Sequence, residues 1–294
     1  MRHVLIAMLA VCVMAVAAQA DWDLGMDYKM HYPQLPDLTD HGLDVLDCPG
    51  APEEVIVDPQ GGQIVLPAIP QKMLADDWRC SGTGRVTDIH IWGSWLNDLV
   101  SPAPIGFRLT IYDNIPEGPT GEPSMPGTLL WEYDALANER VYIRDLYEQF
   151  YDPNKNEIIG RDTMCWQYNF YINPDEAFRQ ELGKIYWLGV EAFYPMRKFF
   201  LVGEPPNEWL EVEEYYWGWK TSGVQHFMDD AVFRDWIEDP ADPGLGYWGN
   251  WIEMYHPETG ESLDLAFVIT PEPATMALLG LGLVGLVAKR KTRK

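Results

Sequence analysis

The chain has 294 residues, with 45 acidic against 21 basic side chains and a formal net charge of −24. So negative a surface repels phosphate backbones and anionic headgroups, which excludes nucleic-acid binding through a basic groove. Its 13 Trp, 15 Tyr and 10 Phe stand beside 25 Gly and 23 Pro, and this mixture of bulky strand formers and frequent breakers points to short strands with long loops.

Residues 1–20 have the layout of a cleaved signal peptide handled by the Sec machinery. Arg2 and His3 make a small basic start, residues 4–16 are apolar, and Ala18-Gln19-Ala20 is an A-x-A cleavage site ahead of acidic Asp21, with Ala18 and Ala20 as its small residues. Export places the body in an oxidising compartment. Cys12 leaves with the signal, so Cys48, Cys80 and Cys165 remain. A Cys48–Cys80 disulfide is expected, because it would pin the Pro-rich N-terminal stretch onto the body.

Residues 21–70 read as an N-terminal extension: Pro33, Pro36 and Gly42 interrupt any period, and the first candidate strand is 63–66. The patterned body spans 71–270. Strands are expected at 86–92, with Ile89 and Ile91 on one face, and at 107–112, with Phe107, Leu109 and Ile111 inward. Further candidates are 128–133, 165–172, 185–192, 215–220, 230–233 and 263–269, separated by turn chemistry at 113–114, 117–119, 126–127 and 222–223. One helix of two turns is expected in 173–183, where Asn173 is an N-cap, Pro174 opens the helix and Gly183 closes it. The fold class is therefore all-β: a two-sheet antiparallel sandwich of jelly-roll or Greek-key type with one short helix.

The end of the chain, 271–294, has three ordered parts. Pro271-Glu272-Pro273 precedes an uncharged run over 274–288, and Lys289-Arg290-Lys291-Thr292-Arg293-Lys294 follows. As a helix the run would cover roughly 22 Å, short of the roughly 30 Å hydrocarbon core, a gap that snorkelling of Lys289 and Arg290 can close. The basic end belongs in the cytoplasm by the positive-inside rule.

This layout resembles the PEP-CTERM sorting signal of bacterial surface proteins. The resemblance implies an exosortase as processing partner, transient anchoring in the inner membrane by 274–288, and a final place at the outer surface or in the extracellular matrix. Within 71–270, Leu74-Ala75-Asp76-Asp77-Trp78, Trp92-Gly93-Ser94-Trp95, Phe107-Arg108-Leu109-Thr110-Ile111-Tyr112-Asp113 and Trp217-Gly218-Trp219 are similar to β-sandwich domains of such proteins. Those domains largely lack an assigned activity, so the likeness implies fold and location more than function.

Candidate chemistry is sparse. Asp76-Asp77 and Asp229-Asp230 could supply carboxylates to a structural Ca²⁺, although adjacent acids in a strand face opposite ways and no contiguous calcium loop exists. Solvated acids in an acidic protein are the plainer reading. Trp248 and Trp251, in the Gly/Pro-rich stretch 239–255, could stack on sugar rings of an exopolysaccharide, whereas Tyr215, Trp217 and Trp219 share one strand face and read as core. His90, in a strand beside Trp92, reads as a satisfied sheet residue. No nucleophile elbow, zincin, P-loop or Cys-x-x-Cys motif occurs, so no enzyme is expected. The readings in order are a structural or binding surface protein, a carbohydrate-binding module, and a glycan hydrolase, which needs only two well-spaced carboxylates.

Overall fold

A computed structural model describes residues 22, 26–57, 59–137, 139–204, 208–223, 226–239, 242 and 245–270, with backbone alone for 139–146. The signal-peptide and sorting-signal readings, including Ala18, Ala20, Pro271, Glu272, Pro273 and the apolar run 274–288, lie outside the described residues. Among the described residues no helix is long and apolar enough to cross a membrane.

Among the described residues nineteen strands follow one another. They are β1 (Leu43–Asp47), β2 (Glu54–Val57), β3 (Gln63–Leu66), β4 (Lys72–Arg79), β5 (Gly84–Arg85), β6 (Asp88–Trp95) and β7 (Gly106–Ile115). Then come β8 (Met125–Leu136), β9 (Glu139–Asp152), β10 (Glu157–Tyr171), β11 (Arg179–Gln180), β12 (Ile185–Phe193) and β13 (Arg197–Val202). The last are β14 (Trp209–Glu214), β15 (Trp217–Lys220), β16 (Val232–Glu238), β17 (Gly246–Trp248), β18 (Ile252–Glu253) and β19 (Phe267–Thr270).

Two large sheets face each other, as an all-β sandwich requires. One runs β17-β16-β4-β12-β7-β8, and the other β10-β9-β1-β15-β6-β19. In the second sheet β10 also pairs with β6, so the pairings β6-β15-β1-β9-β10 close on themselves. All these pairs are antiparallel except β1 with β9, which is parallel. Aromatic rings fill the space between the sheets: Phe107 on β7 lies 5.1 Å from Trp217 on β15 and 5.2 Å from Phe170 on β10, and Trp78 on β4 lies 6.1 Å from Phe267 on β19. Ile89, Ile91, Phe107, Leu109, Ile111, Tyr215, Trp217 and Trp219 are all buried, as their shared faces predict.

Several expectations need correction. The helix expected in 173–183 is a pair of turns. Asn173 Oδ1 accepts from Asp175 N (3.1 Å) and Asn173 O from Glu176 N (2.9 Å), so the cap forms without a helix, and Gly183 (φ 82°) belongs to a separate turn. The short helix of the fold is a 3-10 turn, Leu96–Asp98. Residues 113–114 and 126–127 are strand, not turn, lying where the β7–β8 ladder slips register. The stretch 43–47, which shows no alternation, is β1, every residue of it buried because the strand is covered on both faces.

Cys48 and Cys80 are not joined, and both are buried free thiols. Cys48 O accepts from Lys72 N at the start of β4, whereas Cys80 follows its last residue. Eight strand residues at about 3.3 Å each separate them by roughly 26 Å, far beyond the roughly 7 Å limit for bridged Cα atoms.

Candidate functional site

Inside the closed run of strands lies a cluster of charged side chains that the outer surface does not reach. Asp44 on β1 stands directly opposite Lys220 on β15, and Glu148 on β9 opposite Asp162 on β10. Period-two alternation then sends all four side chains to the same interior face. Lys220 Nζ is 2.5 Å from Glu148 Oε2 and 3.1 Å from Asp44 Oδ2, and all three side chains are 0% exposed. Asp162 Oδ1 accepts from Ser94 Oγ at 2.7 Å. Gly218 makes the packing possible, since a Cβ there would lie 2.7 Å from the Phe150 ring and 3.1 Å from Asp44.

Three carboxyls against one ammonium leave two negative charges in excess, a heavy burden away from water. Protons relieve it. Burial, followed by the Asp44 charge, pushes Glu148 up to about 8 and Asp162 up to about 9. Burial also raises Asp44, against the pull of Lys220. Burial acts to lower the Lys220 ammonium, but Asp44 and Glu148 hold it above its ordinary value. Near neutral pH Glu148 and Asp162 therefore hold their protons, which relieves the excess negative charge.

A pH dependence follows. The unfolded chain releases the protons of Glu148 and Asp162 near 4.5 and 3.8, while the folded chain keeps them to about 8 and about 9. The folded state binds more protons throughout that window, so stability falls as pH rises through it. His226 adds to the fall above 6.5, because its bond to Asp264 lifts it to about 9. His31 opposes it on the acid side: burial, then Arg79, holds the ring neutral down to about 3, so stability is lost as pH drops below 6.5. Denaturant midpoints should decline steadily from about pH 5 toward pH 9, because the two carboxyls outweigh the opposing His31. A midpoint that stays level from pH 6 to pH 9 would contradict this assignment.

The acids expected to bind Ca²⁺ do not gather. Asp76 faces the sheet that holds β19 and accepts from Gln34 Nε2 (2.7 Å), Leu265 N (2.6 Å) and Asp77 N (2.7 Å). Asp77 turns to the other face with no hydrogen bond to either oxygen, and burial, then Asp264 and Asp229, raises its carboxyl well above the usual range. Asp229 accepts from Ser124 Oγ, and Asp230 is buried beside Tyr255. Among the described residues the trio whose ligand atoms all lie within 4.8 Å of one another is instead Asp44, Glu148 and Asp162, where Lys220 already supplies the cation.

Trp248 and Trp251 are half-buried, packed over a small second core of Met73, Ala75, Tyr112, Trp187 and Val232. The Arg234 guanidinium lies 4.9 Å from the Trp248 ring and 4.1 Å from the Trp251 ring, so a ring face on each is taken by the protein's own cation. His90 is fully buried, its Nδ1 2.7 Å from Asn169 Oδ1 and its Nε2 3.1 Å from Asp88 Oδ2. His226 has Ser262 and Asp264 as neighbours, but both approach its Nδ1 most closely, at 2.9 and 2.8 Å, while Nε2 donates to Met228 O. A nucleophile–base–acid relay needs the two partners on different ring nitrogens. A cleft of about 820 Å³, walled by Leu46, Leu66, Ile69, Asp152, Val212 and Tyr216, opens beside the β2–β3 hairpin.

Sequence reasoning missed the four-residue cluster. Asp44, Glu148, Asp162 and Lys220 are scattered along the chain, and the sole local hint is a pair of acids inside the apolar run Leu43-Asp44-Val45-Leu46-Asp47.

The chain belongs to a family described as a domain of unknown function, DUF7901, whose profile matches residues 30–270. The PEP-CTERM protein-sorting motif matches residues 270–291. No curated protein and no solved structure matches the chain. The sorting motif is a substrate signal for exosortase, so this is an exported protein, anchored transiently in the membrane before it is processed.

Proposed function

We propose that the protein is a structural component of the cell surface or extracellular matrix, released there by exosortase as a rigid body. The observation that carries this reading is the junction between body and signal. β19 ends at Thr270, paired to β6 through Asp88, with Thr270 Oγ1 donating to Asp88 Oδ2 at 2.8 Å. The sorting motif begins at residue 270, so the sheet abuts it without a linker. A folded body held directly against its processing site suits delivery of a finished module. Inside that body the Lys220 ammonium is taken up by Asp44 and Glu148.

Mass spectrometry of protein recovered from the native surface should find neither residues 1–20 nor the tail 289–294. Recovery of mature protein that still carries Lys289 and Lys294 would sink the sorting step. The structural role is tested separately, by deleting the gene and measuring cohesion of the cell envelope and matrix. Turnover of polysaccharide by the purified chain, or tight binding on a glycan array, would replace the scaffold reading with a hydrolase or a carbohydrate-binding module.

A further inference from the structure

We propose that the chain cross-links itself at the buried cluster: Lys220 Nζ forms an amide with Asp44 Cγ, releasing one water and joining β1 covalently to β15. The two residues are direct ladder partners, and Nζ lies 3.1 Å from Asp44 Oδ2. Cγ is one bond beyond that oxygen, so the amine is held beside the carbon it would attack and part of the entropic barrier to bond formation is already met. Both side chains are fully buried, so the water that would favour hydrolysis is excluded. The same burial makes an ammonium–carboxylate pair costly, and an amide carries neither charge.

Glu148 is placed to move the protons. Its Oε2 is 2.5 Å from Nζ, and one oxygen each of Glu148, Asp44 and Asp162 lies within 4.8 Å of the others. In the first step the ammonium passes one proton, through Glu148, to the Asp44 carboxylate, leaving a neutral amine beside a carboxylic acid. The nitrogen lone pair then forms the N–C bond at Cγ. Glu148 carries the second amine proton to the departing hydroxyl, the C–O bond breaks, and water leaves. Ammonium and carboxylate become amide and water, nothing is oxidised or reduced, and Glu148 ends as it began. Asp162, held by Ser94, positions the Asp44 carboxyl and polarises it. Glu148 and Asp162 can donate in this way because burial keeps them protonated at neutral pH. The link would span 176 residues of sequence and lock the body's first sheet strand to a late one.

The test is peptide mass spectrometry of the full chain, purified folded, then unfolded, reduced and digested. A branched peptide should appear that contains Asp44 and Lys220, lighter by one water than its two arms together, and trypsin should fail to cut after Lys220. Glu148→Gln keeps the side chain's size, and its cross-linking should be about a hundredfold slower at unchanged circular dichroism. Two linear peptides at full mass from folded wild-type chain after long incubation at neutral pH, with cleavage after Lys220, would overturn the cross-link. Cross-linking of E148Q at the wild-type rate would overturn the role of Glu148.

Discussion

Lys220→Met is expected to destabilise the folded chain by about 3–5 kcal/mol at pH 8, the range for breaking a buried ion pair by removing one partner. Methionine fills much of the lysine volume, so the loss is electrostatic more than steric. Asp44, Glu148 and Asp162 would be left facing one another without a cation, fully buried. Near pH 5 those carboxyls can all take protons, and the defect should shrink. An Asp44–Lys220 amide would add its own loss at both pH values while leaving the pH trend intact. Urea unfolding at pH 5 and pH 8 measures both quantities. The comparison is Lys198→Met: Lys198 is half exposed and 3.7 Å from Glu213, so its loss should change stability by less than about 1 kcal/mol. If Lys220→Met proved as mild as Lys198→Met at both pH values, the cluster would not hold the sheet together.

Trp217→Ala should cost about 3–5 kcal/mol, the usual penalty for emptying a buried aromatic site. Trp217 is fully buried, with its ring centre 5.1 Å from Phe107 and 5.8 Å from Tyr168. Its ring also presses on β6, where a Cβ on Gly93 would be 2.4 Å from Trp217 Cζ2. Neighbours so constrained cannot collapse into the gap. At about 2–4 °C per kcal/mol for a domain of this size, the melting temperature should fall by roughly 6–20 °C. Trp209→Ala, at a ring 48% exposed on β14, should leave it almost unchanged. Equal shifts for the two variants would show that the Trp217 site relaxes, against its tight packing.

Patterns confined to one short stretch were legible in the sequence. Period-two alternation in Phe107-Arg108-Leu109-Thr110-Ile111 marked β7 and its inward face, because one side of that strand packs more tightly than the other. Tyr215, Trp217 and Trp219 announced core in the same way, and the ordered motif, apolar run and basic tail identified the sorting signal. Tertiary structure decided the rest. β1 and β4 lie covered on both faces, so their acids Asp44, Asp47, Asp76 and Asp77 are buried and erase the alternation that would have revealed the strands. The cap chemistry of Asn173 was real, yet the chain was committed to the next strand before a helix could propagate. A Cys48–Cys80 bridge would pin the N-terminal stretch onto the body, but the length of β4 keeps the two thiols apart. In sequence Trp248 and Trp251 are a possible sugar platform, since nothing local shows that Arg234 lies against both rings. The charged cluster was least accessible of all, since its members become neighbours only once β1, β9, β10 and β15 are paired in register. Local composition sets which face of a strand can be buried, and only closure of the sheet determines which charges must be buried together.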